Sequence, residues 1–446
     1  MAKPRKGKDY TPITVPFAAT PIGEPPEVSE WAHPAVWTER MLDTLKVGVR
    51  GGKWHTLIDK VFAKLNLYAS ARKVLGKKGA AGVDHQSTED FSQDALAEID
   101  RLHEQLRGDL YRPLAVRRTW IPKPGSNERR PLGIPTVRDR VVQTALVHVI
   151  EPIFDHTFHA RSYGFRRGRS CPQALACVEE LLTAGYVYVV DADLKSYFDT
   201  IPKDRLMEMV ASQVSDRRIL KLIEMYLQQE ILEELRSWTP EAGVPQGAVL
   251  SPLLSNIYLN PLDHQMADSG FQMVRYADDF VVLCRTAEEA SQALEMVQQW
   301  VSQAGLTLHP DKTHIVDSRV ESFQFLGYSF RGSLRFPRGK SNAKERDKIR
   351  TLIPRKSGQS LSVIIQRLNH NLRGWHAYFR HCHWSIFREY DQMVRRRLRR
   401  LLSKRHRRNR KRLPPNQRWP NEYFHEQGLY RLSQAHARFV QSTGTY

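Results

Sequence analysis

Residues Tyr276-Ala277-Asp278-Asp279 set two adjacent carboxylates between two short apolar runs, Phe271-Gln272-Met273-Val274-Arg275 and Phe280-Val281-Val282-Leu283-Cys284. This pattern reads as a β-hairpin with Asp278 and Asp279 at its turn. Like charges side by side repel, and each favours water or a cation over an apolar neighbour. Between strands that look core-facing, the pair suits divalent metal, which is held through one or two carboxylates plus substrate phosphates. Two such ions stabilise the attacking and leaving oxygens of a phosphoryl transfer. An ordinary solvated turn is the alternative for these four residues, since Asp is common in turns.

A third carboxylate bears on that choice. Tyr186-Val187-Tyr188-Val189-Val190-Asp191-Ala192-Asp193 is a β-branched and aromatic run that ends in acids,. A strand delivering Asp193 beside the hairpin completes a metal site from two separate segments. Asp193 lies too far upstream to cap the helical stretch beginning at Lys203. Asp199 or Pro202 fits that boundary better,.

The chain resembles a reverse transcriptase of the group II intron maturase kind. Tyr276 to Asp279 is similar to the family's metal-binding hairpin. Asp193-Leu-Lys-Ser-Tyr-Phe-Asp199 is similar to its first catalytic motif, and Gly243-Val-Pro-Gln-Gly-Ala-Val-Leu-Ser-Pro252 to the segment between them. The resemblance runs in the family's order over roughly residues 35 to 440. It implies an α+β right-hand polymerase: fingers, a palm with an antiparallel sheet, then an α-helical thumb and maturase domain. The expected divisions are a basic, Pro-rich disordered tail (1–34), N-terminal extension and fingers (35–170), palm (171–335), and thumb with maturase segment (336–446),. Asp193, Asp278 and Asp279 are the implied catalytic carboxylates. Asp193, Asp278 and the backbone of Leu194 are the implied holders of two Mg²⁺ ions, with Mn²⁺ as an alternative ion.

Bulk properties agree. A formal charge of +20 and a pI near 9.8 call for a polyanionic partner or an acidic membrane surface,. No apolar run reaches the roughly 18 residues of a transmembrane span,. Met1 to Gly7 is basic but lacks the apolar core of a secretory signal,. The four cysteines (Cys171, Cys177, Cys284, Cys382) have neither CxxC nor zinc-ligand spacing,. Reduced thiols in a bacterial cytoplasm, at the nucleoid, are the expectation.

Trp37 to Leu110 reads as mainly helical, with Leu42, Leu45, Leu57, Val61, Leu65 and Tyr68 at helix-like spacing,. Val116–Lys123 and Arg129–Pro135 read as a hairpin around a Pro-Gly-Ser-Asn turn,. Cations here can clamp a triphosphate, and the resemblance gives that role to Lys123 and Arg130. Residues 161–170 interleave glycines and aromatics with Arg161, Arg166, Arg167 and Arg169, which suits stacking and backbone neutralisation on nucleic acid,. Gln246 can offer its amide to a sugar or base, and the resemblance puts it beside the incoming nucleotide. The same resemblance makes Phe198 a steric gate against the ribose 2′-hydroxyl, and so selects dNTPs. It puts Lys312 near the leaving pyrophosphate and makes Phe325, Leu326, Gly327 and Tyr328 the primer grip.

Further along, Leu361, Ile364, Ile365, Leu368, Leu372, Trp375 and Phe379 keep helical period,. Asn369 to Phe379 resembles the maturase motif that follows the polymerase in group II intron proteins. Ile386, Tyr390, Val394, Leu398 and Leu401 mark a second stripe. Between Arg388 and Arg412 thirteen Lys and Arg face only Glu389 and Asp391, a net of +11. Such density predicts phosphate contacts and steep salt dependence. Arg395, Arg396, Arg399, Arg400, Arg405, Arg407 and Arg408 are the candidate RNA- or DNA-binding cations. Trp419 to Leu429 resembles the closing segment of compact maturases, and no Cys-pair or His-rich endonuclease cassette is read after it. The expected function is an RNA-directed DNA polymerase that binds group II intron RNA, promotes its splicing and copies it into DNA at a DNA target. A stand-alone reverse transcriptase for defence or repair, and a splicing-only maturase, are the alternatives. Oligomeric state is left open.

Overall fold

The computed structural model describes residues 28–49, 51–122, 129–234, 236–406 and 413–443. Eleven strands form three sheets among these residues. They are β1 (Val116–Pro122), β2 (Arg129–Ile134), β3 (Tyr188–Asp193), β4 (Ile231–Glu233), β5 (Arg236–Trp238), β6 (Gln272–Tyr276), β7 (Asp279–Cys284), β8 (His314–Asp317), β9 (Phe323–Phe325), β10 (Tyr328–Arg331) and β11 (Leu334–Pro337).

The central sheet has the order β6-β7-β3-β8 and is antiparallel throughout. Strand alternation sends successive side chains to opposite faces. Val190, Ala192, Phe280, Val282 and Cys284 enter the core under helices Ser251–Asp268 and Ala287–Gln303. Val189, Val281, Leu283 and Val316 enter a second core with helix Cys171–Thr183, the β9–β11 sheet and the C-terminal helices. Both faces are therefore covered by apolar packing, and a one-residue slip of β3 would turn Asp191 and Asp193 into the core beneath those two helices,.

The finger strands pair as expected, with Ile121 opposite Arg130. They also gain β4, parallel to β1, and β5, which makes a four-stranded sheet. Its outer surface is aromatic and basic. The Arg118 guanidinium lies 5.7 Å from the Trp120 ring and 5.4 Å from that of Trp238.

Three expectations are corrected. Residues 28–34 do not belong to a tail: Val28–Trp31 is helical, and Val28 and Ala32 pack on the core. Residues 1–27 lie outside the described residues. Leu65 and Tyr68 are exposed rather than core-facing. Ala63, at ψ 124°, breaks the helix between Ile58–Phe62 and Lys64–Gly76 and resets the helical phase. Asn66, Leu67, Ser70, Ala71 and Val74 are buried instead. Last, the palm boundary at 335 cuts through β11, so the helical domain starts at helix Gly339–Leu352.

That domain packs Leu361–Phe379 and Trp384–Arg405 through the expected stripes. Trp375 sits 5.1 Å from Phe379 and 4.6 Å from Tyr390. Burial lowers the pKa of His376 and of His381 to about 4. A histidine whose folded pKa is depressed stabilises the fold above its unfolded value and loses that stabilisation as pH falls towards its folded one. Stability is thus expected to fall as pH drops from about 6.5 to about 4. The variant His381→Gln should flatten this slope in chemical denaturation, and an unchanged slope would remove His381 as its source.

Candidate active site

Asp193 lies directly opposite Asp279 in the antiparallel pair of β3 and β7, with Asp191 opposite Val281. Asp191, Asp193 and Asp279 thus share the sheet face that looks towards β9 and β10,. Asp278 stands beside them in the turn. Like charges placed opposite one another destabilise a sheet, and the titration of the site reflects this. Asp279 is pushed up to about 7 by burial and then by Asp191 and Asp278. Asp191 is pushed up to about 6 by burial, although His314 opposes the shift. Burial, then Asp193, also raises Asp278, against the pull of Arg130 and Arg275.

The turn is held from behind. Arg275 is fully buried. Its Nε donates to Asp263 Oδ1 at 2.7 Å, and its Nη2 pairs with the same carboxylate. Its Nη1 donates to Asn256 Oδ1 and to the Ala277 carbonyl, each at 2.9 Å. Ala277 has φ 60°, an uncommon conformation for a residue with a Cβ,. Asn256 Nδ2 donates to the Gly164 carbonyl at 2.8 Å. A Cβ on Gly164 would lie 2.1 Å from the Ala277 nitrogen, so only glycine fits against the turn. Sequence reasoning missed Arg275, Asn256 and Asp191. The available signal for Arg275 was a cation at an inward position of an otherwise apolar strand.

Each carboxylate has a distinct setting. The Leu326 N–H opposes the upward shift of Asp279, and the Gln324 N–H that of Asp191, so the β9–β10 segment lies against the site. Lys312 Nζ pairs with Asp193 Oδ2 at 2.5 Å. Leu194 bridges to Leu308. The bonds flanking that bridge run from Lys195 N–H to Thr307 O and from His309 N–H to Asp193 O, and use neither backbone group of Leu194.

Phe198 and Gln246 meet at the same end of β3. Val244 N–H donates to the Phe198 carbonyl at 2.7 Å, and Gln246 Nε2 to Asp199 Oδ2 at 3.1 Å. Gly243, at φ 91°, abuts the Asp199 backbone, where a Cβ would lie 2.8 Å away. A cavity of about 250 Å³ is lined by Phe198, Asp199, Gln246, Arg118 and Trp238. Arg130 is exposed on β2. Lys123, Arg407 and Arg408 lie outside the described residues.

Several expected contacts are corrected. Arg166 is buried, and donates to the Asp155 carboxylate at 2.7 Å and to the carbonyls of His159 and Ser162. It shapes the 161–169 loop and has no free donor face for nucleic acid. Arg167 pairs with Glu151 at 2.9 Å, and Arg169 donates to the Ala160 carbonyl while lying over the Tyr163 ring. The exposed group of this loop is Phe165, at φ 59°. It rims a cavity of about 310 Å³ lined also by Lys73, Lys77, Arg140 and Arg167. The side chains of Phe325 and Tyr328 are fully buried, so of the four expected residues Leu326 and Gly327 alone stay accessible. Tyr378 Oη fixes that turn through the Leu326 carbonyl at 2.8 Å. In the arginine run, Arg399 donates to the Trp419 carbonyl and Arg405 to those of Ser357 and Gln359. Arg396 and Arg400 are exposed, and Arg395 is half-buried.

Residues 121–330 match the model described as reverse transcriptase (RNA-dependent DNA polymerase). Residues 343–419 match that of the group II intron, maturase-specific domain. The chain is 34% identical over 303 residues to Protein YkfC of Escherichia coli (strain K12), which covers 59% of this chain and 79% of that protein. The chain belongs to the family of group II intron-type reverse transcriptases with a maturase domain. It is also 34% identical over 216 residues to the group II intron-encoded protein LtrA of Lactococcus lactis subsp. cremoris, across 46% of this chain but only 35% of LtrA. Among solved structures, a chain of the partial Cas6-RT-Cas1–Cas2 complex is similar at 24% identity and a TM-score of 0.36, over 56% of this chain and 43% of that one. Membership supports reverse transcriptase activity and intron splicing, and retrohoming is typical of the family. A reverse transcriptase domain also implies dependence on a divalent metal. Among the described residues, no helix is long and apolar enough to cross a membrane.

The residues fit such an ion. The donors are hard oxygens, the type that holds Mg²⁺,. Among the described residues, no group of three or more His, Cys, Asp or Glu side chains is placed to hold a metal ion.

Proposed function

We propose that this chain is an RNA-directed DNA polymerase that copies group II intron RNA into DNA and assists its splicing, with Asp193 and Asp278 as metal-holding carboxylates. The observation that carries this reading is the meeting of Asp193, Asp278 and Asp279 on one sheet end, beside Phe198 and Gln246. Two divalent ions, Mg²⁺ or Mn²⁺, would be held by Asp193 and Asp278 with the Leu194 carbonyl, and would supply charge stabilisation at the attacking and leaving oxygens. Asp279, opposite Asp193 and beside the Leu326 backbone, orients the turn on which the primer terminus rests. Arg130 faces the triphosphate from the fingers. Gln246, steadied by Asp199, contacts the nucleotide from below. The unpaired template follows the basic cavity under Phe165, whose exposed ring offers a stacking platform,. Exposed Arg396 and Arg400 contact RNA phosphates,.

Primer extension on an RNA template with dNTPs and Mg²⁺ tests the reading directly, and absence of extension by the full chain would overturn it. Phe198 supplies a finer test. Its ring is half-buried, 5.5 Å from that of Tyr197, at the end of the catalytic strand. Replacing it by valine opens the space a 2′-hydroxyl needs. Phe198→Val should raise rNTP over dNTP incorporation by about tenfold or more, since a clash of a few kcal/mol is removed. An unchanged ratio would remove Phe198 as the gate.

A further inference from the structure

The segment after helix Ala287–Gln303 is stapled to the catalytic strand. Lys195 N–H donates to Thr307 O at 2.8 Å, and His309 N–H to Asp193 O at 2.7 Å. Lys312 N–H turns back to His309 O at 3.2 Å, which fixes the backbone from which the side chain projects. The side chain itself is 58% exposed, so its ammonium is free to leave. It nevertheless lies 2.5 Å from Asp193 Oδ2, one of the oxygens assigned above to a metal.

The surroundings explain why a cation is drawn there. Asp191, Asp193, Asp278 and Asp279 crowd one end of the sheet. Buried Arg275 is already matched by Asp263. Arg130 acts on Asp278 from the fingers strand, without an ion pair to any of the four. Among the described residues, Lys312 is the cation in direct contact with a catalytic carboxylate.

We propose that Lys312 is the resident counter-ion of Asp193 before metal binds, and that an arriving divalent ion displaces it towards the phosphates of the incoming nucleotide. This rests on the metal-site reading given above. Metal and ammonium then compete for one oxygen when no nucleotide is present. Once displaced, the same ammonium meets a phosphate, so nucleotide arrival favours the metal-loaded arrangement. The fixed backbone and mobile head of Lys312 suit such an exchange. A lysine ammonium is a compact point charge on a flexible stem with rotatable donors.

The test is a Mn²⁺ titration of the full chain without nucleotide or nucleic acid, with free Mn²⁺ read by electron paramagnetic resonance. Lys312→Met should bind Mn²⁺ about fivefold more tightly than the unaltered protein, the upper range for losing a competing exposed ion pair. Lys312→Arg should bind as the unaltered protein does. Lys195→Met removes an exposed charge on the neighbouring residue but no contact with Asp193, and should change affinity less than twofold,. Equal or weaker binding by Lys312→Met overturns the proposal, as does equal tightening by Lys195→Met. Asp193→Asn separates this failure from that of the underlying reading. It should abolish tight Mn²⁺ binding, and if it binds as the unaltered protein does, the metal site itself is refuted.

Discussion

Asp278→Asn should lose about 10³-fold or more in primer extension on an RNA template, while RNA affinity stays within about twofold. Several kcal/mol of transition-state charge stabilisation depend on the ion that this carboxylate would hold, and each 1.36 kcal/mol is tenfold in rate. Asparagine keeps the shape of the turn but removes the charge. Affinity for RNA should survive because the exposed cations belong to helix Trp384–Arg405, not to the turn that carries Asp278. Asp279→Asn should cost less, about tenfold, because Asp279 is not one of the two carboxylates proposed to hold the metal. Steady-state extension alongside filter binding measures both. Extension by Asp278→Asn within tenfold of the unaltered protein would remove Asp278 from the chemistry.

Arg275→Met carries the second large effect, on stability. Asp263 is buried and would be left with an uncompensated charge, a change that costs about 3–5 kcal/mol,. The Ala277 carbonyl would also lose the donor that steadies its left-handed backbone. Arg275→Lys separates the two roles. It retains a charge for Asp263, but one ammonium cannot serve Asp263, Asn256 and the Ala277 carbonyl in the fork geometry of a guanidinium. Denaturant unfolding should therefore show a smaller loss for lysine than for methionine, while primer extension falls in both. A lysine variant with full activity would show that the turn holds itself.

Much of the architecture was legible because its causes are local. The apolar runs around Asp278 and Asp279, the β-branched run up to Asp193 and the stripe from Ile364 to Phe379 each state their own period,. The misreadings trace to causes that a hydrophobic pattern does not carry. Leu65 and Tyr68 follow a period that Ala63 interrupts, and one residue's ψ angle does not show in a hydrophobic pattern. Arg166 looks like its neighbours until Asp155 folds against it. Phe325 and Tyr328 surround the expected turn, but strand alternation between β9 and β10 turns both inward. The β4–β5 pair is too short to announce itself, and gains its place only by pairing with β1.

The chain's order of residues was sufficient for the hairpin, the strand that ends at Asp193, the helical C-terminal domain, the positive charge and the family these imply. Each follows from neighbours within a few positions, where backbone preference and side-chain period act. Tertiary structure alone decided which groups meet. It set Asp191 among the carboxylates, matched Arg275 to Asp263 behind the turn, and brought Lys312 onto Asp193. It also divided the arginines between those bound to carbonyls and those facing solvent. Pairing and burial depend on segments far apart in the chain, and a charge acquires its role only from what is packed against it.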